Sequence, residues 1–364
     1  MNATTKQITI RQNTYDVVTD LDYGARIGSR FEPQTVAIME ALIDPDSRVI
    51  DIGANIGITS LALAQMCPAG RIAAVEPVPA TYELLAANVR LAALSHVSTH
   101  NFALGKEPGE VVMQGNPNDL SGFFVSDDHY VVKADHHSEA KAQVLRLDDA
   151  LPQLGLDRID MLKIDVEGFE LDVLEGASEA LARFRPRVFM EMNHVALNLW
   201  RGIALPEFRK RLLKIFPFAY AIGPDLIADL SDDSQSTKAF YAHVYESHKF
   251  TDLVCGFDKA DLAQRLALIP AIAQKNDRIF AEQDARSEAQ FERLHKRLGE
   301  AEQARDAALA ECHRLTEERN KVLADRDKAA AERDALRSEI HGMVSSKSWK
   351  LTSPLRNFRR TLGL

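Results

Sequence analysis

The chain of 364 residues lacks the features of several specialised protein classes. It contains no run of about 18 apolar residues, so no membrane-spanning helix is expected. Cys67, Cys255 and Cys312 are its only cysteines, and their wide spacing argues against a disulfide framework and a zinc cluster. The first residues show no basic stretch followed by an apolar one, so no secretory signal is expected. These absences predict a cytoplasmic protein.

Basic side chains are scarce in the first three quarters of the chain. Residues 1–273 carry 25 basic and 37 acidic side chains, residues 274–341 carry 14 and 16, and residues 342–364 carry five basic and no acidic ones. Affinity for nucleic acid depends largely on Lys and Arg, which displace counterions from the phosphates. The acidic front domain therefore argues against nucleic acid as a substrate or partner.

Residues 48–250 alternate short β-rich runs with helical stretches, which is typical of an α/β fold. The order predicts a Rossmann-like, doubly wound parallel sheet. An edge hairpin is expected between FAYAIGP at 218–224 and KAFYAHVYE at 238–246. The remaining segments are predicted to be an N-terminal extension that packs on the core (1–47), an insertion or lid near the site (106–147) and a linker helix (251–273).

The turn after the first predicted strand carries the main chemical signal. It reads Asp51-Ile52-Gly53-Ala54-Asn55-Ile56-Gly57, and Glu76 ends the next strand, 19 residues beyond Gly57. The two glycines lack side chains where the backbone must bend and approach a ligand, and Asn tolerates a positive φ. An acid at the end of the second strand can accept hydrogen bonds from both hydroxyls of a ribose. The turn does not match GxGxxG, which disfavours a dehydrogenase.

Three blocks of this domain resemble S-adenosylmethionine-dependent methyltransferases of the FkbM type: VIDIGANIG at 49–57, VEPVPATYELLAANV at 75–89 and LKIDVEGFELDVLEGA at 162–177. The resemblance implies a Rossmann-like methyltransferase fold and S-adenosylmethionine as the cofactor. It also implies roles for single residues. The methionine part would lie against Gly53, Asn55 and Gly57, the turn would be braced by Asp51, the ribose would be held by Glu76, and the adenine would lie beside Pro77, Asn101 and Ala103.

Two carboxylates follow the strand of the third block, at the edge where open α/β sheets bind ligands. Asp165 and Glu167 are two apart, so both side chains would point to the same side of an extended strand end. An acceptor hydroxyl must lose a proton, which makes either carboxylate a candidate general base. Alternatively, the pair holds a divalent cation, or the two residues cap and favour the next helix. Lys163 could pair with them or be exposed, and His194 is a further candidate base.

The segment 274–341 is predicted to be one long helix that forms a coiled coil. It contains no proline and one glycine, and it is rich in Ala, Glu, Arg, Asp and Leu. One row at seven-residue spacing is wholly apolar, and it comprises Leu294, Ala301, Ala308, Leu315, Val322, Ala329 and Leu336. The second row alternates Phe291, Leu298, Cys312 and Ile340 with Arg305, Arg319, Arg326 and Arg333. We expect a homo-oligomer; a lone solvated helix is the alternative.

Residues 342–364 are predicted to form a basic amphipathic tail. Leu351, Leu355, Phe358 and Leu362 recur at helical spacing among five basic residues, which could contact an anionic membrane surface. A frayed tail or a partner-docking helix is the alternative. The pattern SWKLTSPLR at 348–356 resembles the end of bacterial surface-polysaccharide glycosyltransferases, where it follows a similar coiled coil. That resemblance implies surface-glycan synthesis and a glycosyltransferase partner.

These patterns predict a cytoplasmic S-adenosylmethionine-dependent O-methyltransferase, with peripheral contact at the inner face of the membrane as an option for the tail. The expected acceptor is a sugar hydroxyl of a bacterial surface polysaccharide or of its nucleotide-sugar precursor. The first alternative is a methyltransferase of a small secondary metabolite. The second, from another class, is an inactive coiled-coil scaffold of a glycan assembly complex.

Overall fold

The computed structural model describes residues 3–115, 123–125, 138–224, 226–246, 250–352 and 354. The chain divides into two compact units, Met1–Gln283 and Asp284–Leu364. The strands are β1 (Ala3–Ile10), β2 (Asn13–Asp20), β3 (Arg48–Ile52), β4 (Arg71–Val75), β5 (Val97–His100), β6 (Ala103–Leu104), β7 (Gly109–Gly115), β8 (Ser138–Leu145), β9 (Met161–Ile164), β10 (Arg187–Glu191), β11 (Phe218–Ile222), β12 (Ile227–Asp229) and β13 (Asp252–Gly256).

The helices are α1 (Leu21–Arg26), α2 (Pro33–Leu42), α3 (Ile58–Met66), α4 (Pro79–Leu91), α5 (Leu147–Leu154), α6 (Glu170–Glu175), α7 (Ser178–Phe184), α8 (His194–Arg201), α9 (Leu205–Ile215), α10 (Asp233–Tyr245), α11 (Lys259–Leu266), α12 (Ile269–Ser345) and α13 (Lys347–Leu351).

The central sheet has the order β12-β11-β13-β10-β9-β3-β4-β5. The strands from β10 to β5 run parallel, whereas β13 is antiparallel to both β10 and β11, and β12 is antiparallel to β11. The α/β class is therefore confirmed, with a mixed rather than a parallel sheet. The chain builds β4 and β5 on one side of β3 and then crosses to β9 and β10 on the other. Open sheets bind ligands at such a switch point.

Helices and the N-terminal residues cover the sheet on both faces. One apolar core, which includes Phe208 and Leu171, lies on one face, and the other core includes Leu61 and the N-terminal Ile8 and Ile10. The β1-β2 hairpin is tied to α4, because the Asn88 side chain both accepts from the backbone N–H of Val18 and donates to its carbonyl, at 2.7 and 3.0 Å. The N-terminal extension is thus part of the first unit.

The linker helix predicted over 251–273 is wrong at its start. Residues Leu253 to Cys255 lie in β13 and are fully buried between β10 and β11. The hairpin partner predicted at 238–246 is also wrong, since it lies in α10. Its β-rich composition is overridden by a buried face at helical spacing, formed by Ser236, Ala239 and His243. The short β13 therefore takes the place beside β11.

The segment 106–147, predicted to be an insertion or lid, contributes to a second sheet with the order β6-β8-β7. Apolar side chains of this sheet pack on Val78 and Ala103, which follow β4 and β5. Within the described residues 123–125, Phe124 bridges to Gln114 of β7 and its ring stacks on Trp200, with a centroid distance of 3.8 Å. The sheet therefore covers the carboxyl edge of β4 and β5.

The long helix begins inside the first unit. Asn276 and Phe280 of α12 are buried there, and Lys275 pairs with Glu40 at 3.3 Å, so the coiled coil predicted from residue 274 overlaps the packed unit. In the second unit the described side chains of α12 are almost all exposed. The tail residues Leu355, Phe358 and Leu362 lie outside the described residues. No helix in the part of the chain that the structure describes has the length and apolarity to cross a membrane.

The place of β13 in the sheet gives a direct stability test. Replacing the fully buried Leu253 by Ala should lower the free energy of unfolding by about 2–5 kcal/mol, because the change removes packed methyl groups and leaves a cavity. Leu268→Ala is the matched control at a position that is 44% exposed, and it should change stability by about 0.5 kcal/mol or less. Urea unfolding of both variants measures the difference, and equal small effects would contradict the assignment of β13.

Candidate active site

A cavity of about 500 Å³ lies at the carboxyl ends of the central parallel strands. Residues that follow β3, β4 and β9 line it, together with Phe189 and Glu191 of β10. Val111 and Met113 of β7 and the nearby Phe123 and Val125 also line it. From the N-terminal extension come Tyr23, Phe31 and Glu32. This is the volume and the place expected for a bound small molecule in an open α/β fold.

The turn after β3 has the backbone conformation that its sequence predicts. Gly53, Asn55 and Gly57 all have positive φ, at 75°, 50° and 95°. A side chain on Gly53 would place its Cβ 1.9 Å from the carbonyl oxygen of Asp165, so only glycine fits where β3 and β9 end together. Gly53 and Asn55 line the cavity, whereas Gly57 faces Leu85 of α4, which a Cβ would meet at 2.8 Å.

Glu76 lies at the end of β4 with its carboxylate against this turn. Its two oxygens accept hydrogen bonds from the backbone N–H groups of Asn55 and Val78, each at 2.9 Å. Burial raises the pKa of Glu76 to about 7, although these two hydrogen bonds act in the opposite direction. Each carboxylate oxygen has a second lone pair, so Glu76 can still accept from two ligand hydroxyls.

Two of the three residues expected beside the adenine line the cavity. Pro77 and Ala103, which the resemblance places beside the adenine, line the cavity together with Val78 and Phe102. Asn101 does not line it. Its side-chain amide donates to the carbonyl oxygens of Glu76 and Pro77, at 2.8 and 3.1 Å, and so fixes the backbone after β4. Asn101 is therefore a positioning residue rather than a wall of the cavity.

Lys163 of β9 joins the turn to the carboxylates after β9. Its side chain is 5% exposed, and its Nζ lies 3.2 Å from Asp51 Oδ1 and 3.4 Å from Asp165 Oδ2 while it donates to the Gly53 carbonyl at 3.0 Å. Burial lowers the pKa of Lys163, but the two carboxylates raise it by more, so the net pKa lies above its usual range. The alternative of an exposed lysine is wrong. Asp51, which also accepts from Ser60 at 2.6 Å, braces the turn from beneath the cavity.

Asp165 and Glu167 both line the cavity, but not because they extend the strand. β9 ends at Ile164, and Glu167 has a φ of 52°, in the left-handed region. Asn193 donates to Glu167 Oε2 at 2.9 Å. The helix-capping alternative is wrong, because α6 begins only at Glu170, and it is the carboxylate of Glu170 that accepts from the backbone of Gly168.

Glu191, at the end of β10, forms a carboxyl pair with Asp165. Burial raises the pKa of Glu191 to about 10, and the charges of Asp165 and Glu167 and a hydrogen bond with Asp165 raise it in the same direction. Glu191 is therefore protonated at neutral pH and can donate to Asp165. Burial also raises the pKa of the neighbouring Asp252 to about 7, with further contributions from Glu32 and Asp165. Asp165 also lies 3.4 Å from the Lys163 ammonium group.

His194 is not brought to the cavity, so its predicted role as a base is wrong on geometry. It is the first residue of α8, after the capping residue Asn193, and its Nδ1 lies 2.9 Å from Nε2 of the buried His243 in α10. The imidazole pair links two helices. It does not belong to the residues that line the cavity.

The divalent-cation alternative for Asp165 and Glu167 finds no ligand set. Among the described residues, no group of three or more His, Cys, Asp or Glu side chains could hold a metal ion. A stable site for a hard cation requires several oxygen ligands. Within this part of the chain, Asp165 instead contacts Lys163 and Glu191.

Sequence reasoning missed Glu191, Asp252, Glu32 and the buried state of Lys163. Glu191 could have been found, because it ends a strand at the same sheet edge as Asp165. Asp252 could not, since β13 was assigned to a helix, and Glu32 lies in an extension without a motif. The partner of Lys163 is Asp51, which is distant in the sequence.

Comparison with known proteins agrees with this geometry. The model of the methyltransferase FkbM domain matches residues 51–224. Methyltransferase sdnD of Sordaria araneosa is 34% identical over 156 residues, which cover 36% of this chain and 60% of that protein. The 31-O-demethyl-FK506 methyltransferase FkbM of Streptomyces tacrolimicus is 30% identical over 161 residues, or 37% and 61%. The chain thus spans about three fifths of the length of these relatives.

A crystal structure of a methyltransferase FkbM from Methylobacillus flagellatus is 18% identical and covers 58% of this chain and 44% of that one, with a TM-score of 0.38. The mixed α/β sheet with a cavity at its switch point agrees with the methyltransferase fold of the matched family model. Residues 51–224 are similar to the FkbM methyltransferase domain. The fold and the cofactor predicted from the sequence are confirmed at this level.

The buried ion pair of Lys163 and Asp51 predicts a stability pattern. Lys163→Met should lower the free energy of unfolding by about 3–5 kcal/mol, because it leaves Asp51 buried without a compensating charge. Adding Asp51→Asn to this variant should restore most of the loss. Lys210→Met, which removes an exposed ion pair with Glu207, should cost about 1 kcal/mol or less. Chemical denaturation measures all three, and no recovery in the double variant would contradict the pairing.

The raised pKa of Glu191 predicts a pH dependence. Its folded-state pKa of about 10 lies above the value of about 4.3 for an unfolded chain, so its contribution to stability is complete at low pH and is lost as pH rises towards 10. The free energy of unfolding should therefore fall less steeply between pH 5 and 10 in Glu191→Gln than in the wild type. Denaturation across this range measures the slopes, with the exposed Glu179→Gln as the control. Parallel profiles for Glu191→Gln and the wild type would contradict the shift.

Proposed function

We propose that the protein transfers the methyl group of S-adenosylmethionine to a hydroxyl oxygen, and that the hydroxyl belongs to a sugar of a bacterial surface polysaccharide or its precursor. The carboxyl pair of Asp165 and Glu191 carries the proposal of O-transfer. The pair lies in the same cavity as the Gly53 turn and Glu76, and it offers a proton acceptor at the place where the methyl group is transferred.

The residues of the cavity fit this cofactor by charge and by hydrogen bonding. Among the described residues, six acidic side chains and one lysine, Lys163, line it; the acids are Glu32, Glu76, Asp165, Glu167, Glu191 and Asp252. Such a cavity favours cations, and the cofactor carries a sulfonium and an ammonium group. Glu76 would hold the ribose hydroxyls, and the Gly53 turn leaves space beside the backbone. When bound, the cofactor supplies an electrophilic methyl group.

Residues of the chain would then bind the acceptor hydroxyl and take up its proton. The Asp165 side chain is 42% exposed, so an acceptor hydroxyl can reach it and donate a hydrogen bond. Asp165 would take up the proton of the acceptor hydroxyl as its oxygen gains the methyl group, and the broken sulfur–methyl bond would leave S-adenosylhomocysteine. Lys163 holds this carboxylate in place from beneath, while protonated Glu191 donates to it. The apolar rings of Phe31 and Phe169 help to exclude water.

A sugar fits the outer part of the cavity because it presents several hydroxyls and apolar ring faces. Glu167 and Asp252 can accept hydrogen bonds from further hydroxyl groups, and Phe123 and Met113 offer apolar contact. The resemblance of residues 348–356 to the end of surface-polysaccharide glycosyltransferases supports a glycan acceptor and a glycosyltransferase partner. The exposed basic residues Lys347 and Lys350 would allow contact with the inner face of the membrane.

A small secondary metabolite is the second candidate acceptor. The observation that favours it is the likeness to the 31-O-demethyl-FK506 methyltransferase FkbM, whose name specifies such a substrate. The same Asp165–Glu191 pair would serve either acceptor. The two candidates differ only in what fills the outer part of the cavity.

The test combines binding and turnover in the purified full chain. Transfer from methyl-labelled cofactor should occur to a polysaccharide or nucleotide sugar, with the methyl group on one hydroxyl oxygen by mass spectrometry and NMR. Asp165→Asn should lower kcat by about 10²–10⁴ while it leaves the cofactor Kd within about twofold, because it removes only the proton acceptor. Glu76→Gln should instead raise that Kd by about tenfold to a hundredfold.

Glu83→Gln, at an exposed position of α4, is the control that should change neither quantity. Full activity in Asp165→Asn would remove its role as the proton acceptor. Transfer only to small lipophilic alcohols would select the metabolite, and transfer to nitrogen would overturn the O-methyl proposal. A chain that does not bind the cofactor would be an inactive scaffold.

A further inference from the structure

The part of α12 in the second unit carries an uncovered apolar face. In the seven-residue repeat, position d is occupied by the apolar row that begins with Leu294, and position a by the mixed row that begins with Phe291. Both rows are exposed: Phe291 is 69% accessible, Leu315 53% and Val322 67%. An isolated helix gains little from apolar residues repeated at this spacing, whereas a partner helix would bury them.

The row next to a shows a charge pattern that the apolar rows do not explain. Position g is occupied by Glu311, Glu318, Asp325, Glu332 and Glu339 along the second half of the helix. Arg319, Arg326 and Arg333 at position a each follow one of these acids directly. Arginine is costly in the centre of a coiled coil unless an anion lies beside it.

We propose that this helix pairs with the same helix of a second copy of the chain, in a parallel and in-register two-stranded coiled coil. In this arrangement position g of one helix flanks the following position a of the other. Three of the four arginines at position a then meet an acid of the second copy, because Arg319 meets Glu318, Arg326 meets Asp325 and Arg333 meets Glu332, whereas Arg305 follows Ala304. Every pair occurs twice because of the two-fold symmetry.

The same pattern selects against other arrangements. Antiparallel pairing over the same span would place the acidic g positions of the second half opposite the first half of the other copy, where position g holds Gln290, Arg297 and Ala304. The three arginines at position a would then lose the acids that flank them in the parallel register. A bundle of three or more strands would enclose position a more fully and remove the arginine heads from water. The outer positions e and g agree with the parallel dimer at both ends of the repeat, because Arg297 would face Glu302 of the second copy and Glu332 would face Arg337.

Cys312 provides a built-in probe of this register. It occupies position a and is exposed, whereas Cys67 and Cys255 are buried in the first unit. A parallel in-register dimer places the two copies of Cys312 side by side, within the Cα separation of about 4.4–6.8 Å that a disulfide spans. Mild oxidation of the full chain should therefore give a covalent dimer, and Cys312→Ser should abolish it.

A second cysteine position separates parallel from antiparallel pairing. In the Cys312→Ser background, Ile340→Cys should also form a disulfide with itself, because residue 340 again faces residue 340. In an antiparallel pair, this end of the helix would lie beside residue 291, roughly 70 Å from the other copy's residue 340. Failure of Ile340→Cys to crosslink, or a sedimentation mass of one or of three chains at micromolar concentration, would overturn the proposal.

Charge reversal tests the g row with a matched control. The triple variant Glu318→Lys, Asp325→Lys, Glu332→Lys should weaken self-association by about a hundredfold or more, because each new lysine meets an arginine of the second copy. The control Glu317→Lys, Asp327→Lys, Asp334→Lys changes the net charge equally but lies outside the paired face. It removes the exposed ion pairs of Arg326 and Arg333 within one helix, at 2.6 and 2.8 Å.

Sedimentation equilibrium gives the dimer dissociation constant of both variants, and circular dichroism reports whether the helix remains folded. The proposal expects the control to dimerise within about threefold of the wild type, since exposed pairs contribute little. Equal weakening in both variants would mean that internal salt bridges, and not pairing, explain the charges. Cofactor binding should be unchanged in both, so the result is independent of the proposed methyl transfer.

Discussion

The geometry of the site depends on the ion pairs that the buried ammonium group of Lys163 forms with Asp51 and Asp165. A charge in the protein interior must be paired, and this one contacts Asp51, Asp165 and the Gly53 carbonyl. These three groups belong to the ends of β3 and β9, which meet so closely that Gly53 admits no side chain. Lys163 thus holds the Gly53 turn and the Asp165 carboxylate in one fixed relation.

Burial gives the acids of the cavity different tasks. Glu191 keeps its proton because its pKa is raised to about 10, whereas the more exposed Asp165 lies beside Lys163. Glu76 is buried and accepts hydrogen bonds from the backbone N–H groups of Asn55 and Val78, and in the proposed function it holds the ribose of the cofactor. Excess negative charge in the cavity favours the cationic sulfonium and ammonium groups of the proposed cofactor. The first unit is therefore rich in acidic residues both in its overall composition and in the lining of its cavity.

Sequence reasoning predicted the features that depend on residues close together in the chain. The turn with Gly53 and Asn55 and the acid Glu76 could be predicted, because strand ends and glycines are local signals. It failed where a contact joins distant parts of the chain. Lys163 is buried only because β3 lies beside β9, and β13 is a strand only because β10 and β11 flank it. The repeat in α12 was predictable, since its spacing is a property of the helix itself.

The most direct measurement of the central claim is a crystal structure of the chain with S-adenosylhomocysteine. The account predicts both ribose hydroxyls within hydrogen-bond distance of the Glu76 carboxylate, with the nucleoside beside Pro77 and Ala103. The sulfur should point towards Asp165, while Lys163 keeps its contacts with Asp51 and Asp165. A ligand bound away from the Gly53 turn, or a sulfur remote from the Asp165–Glu191 pair, would contradict it.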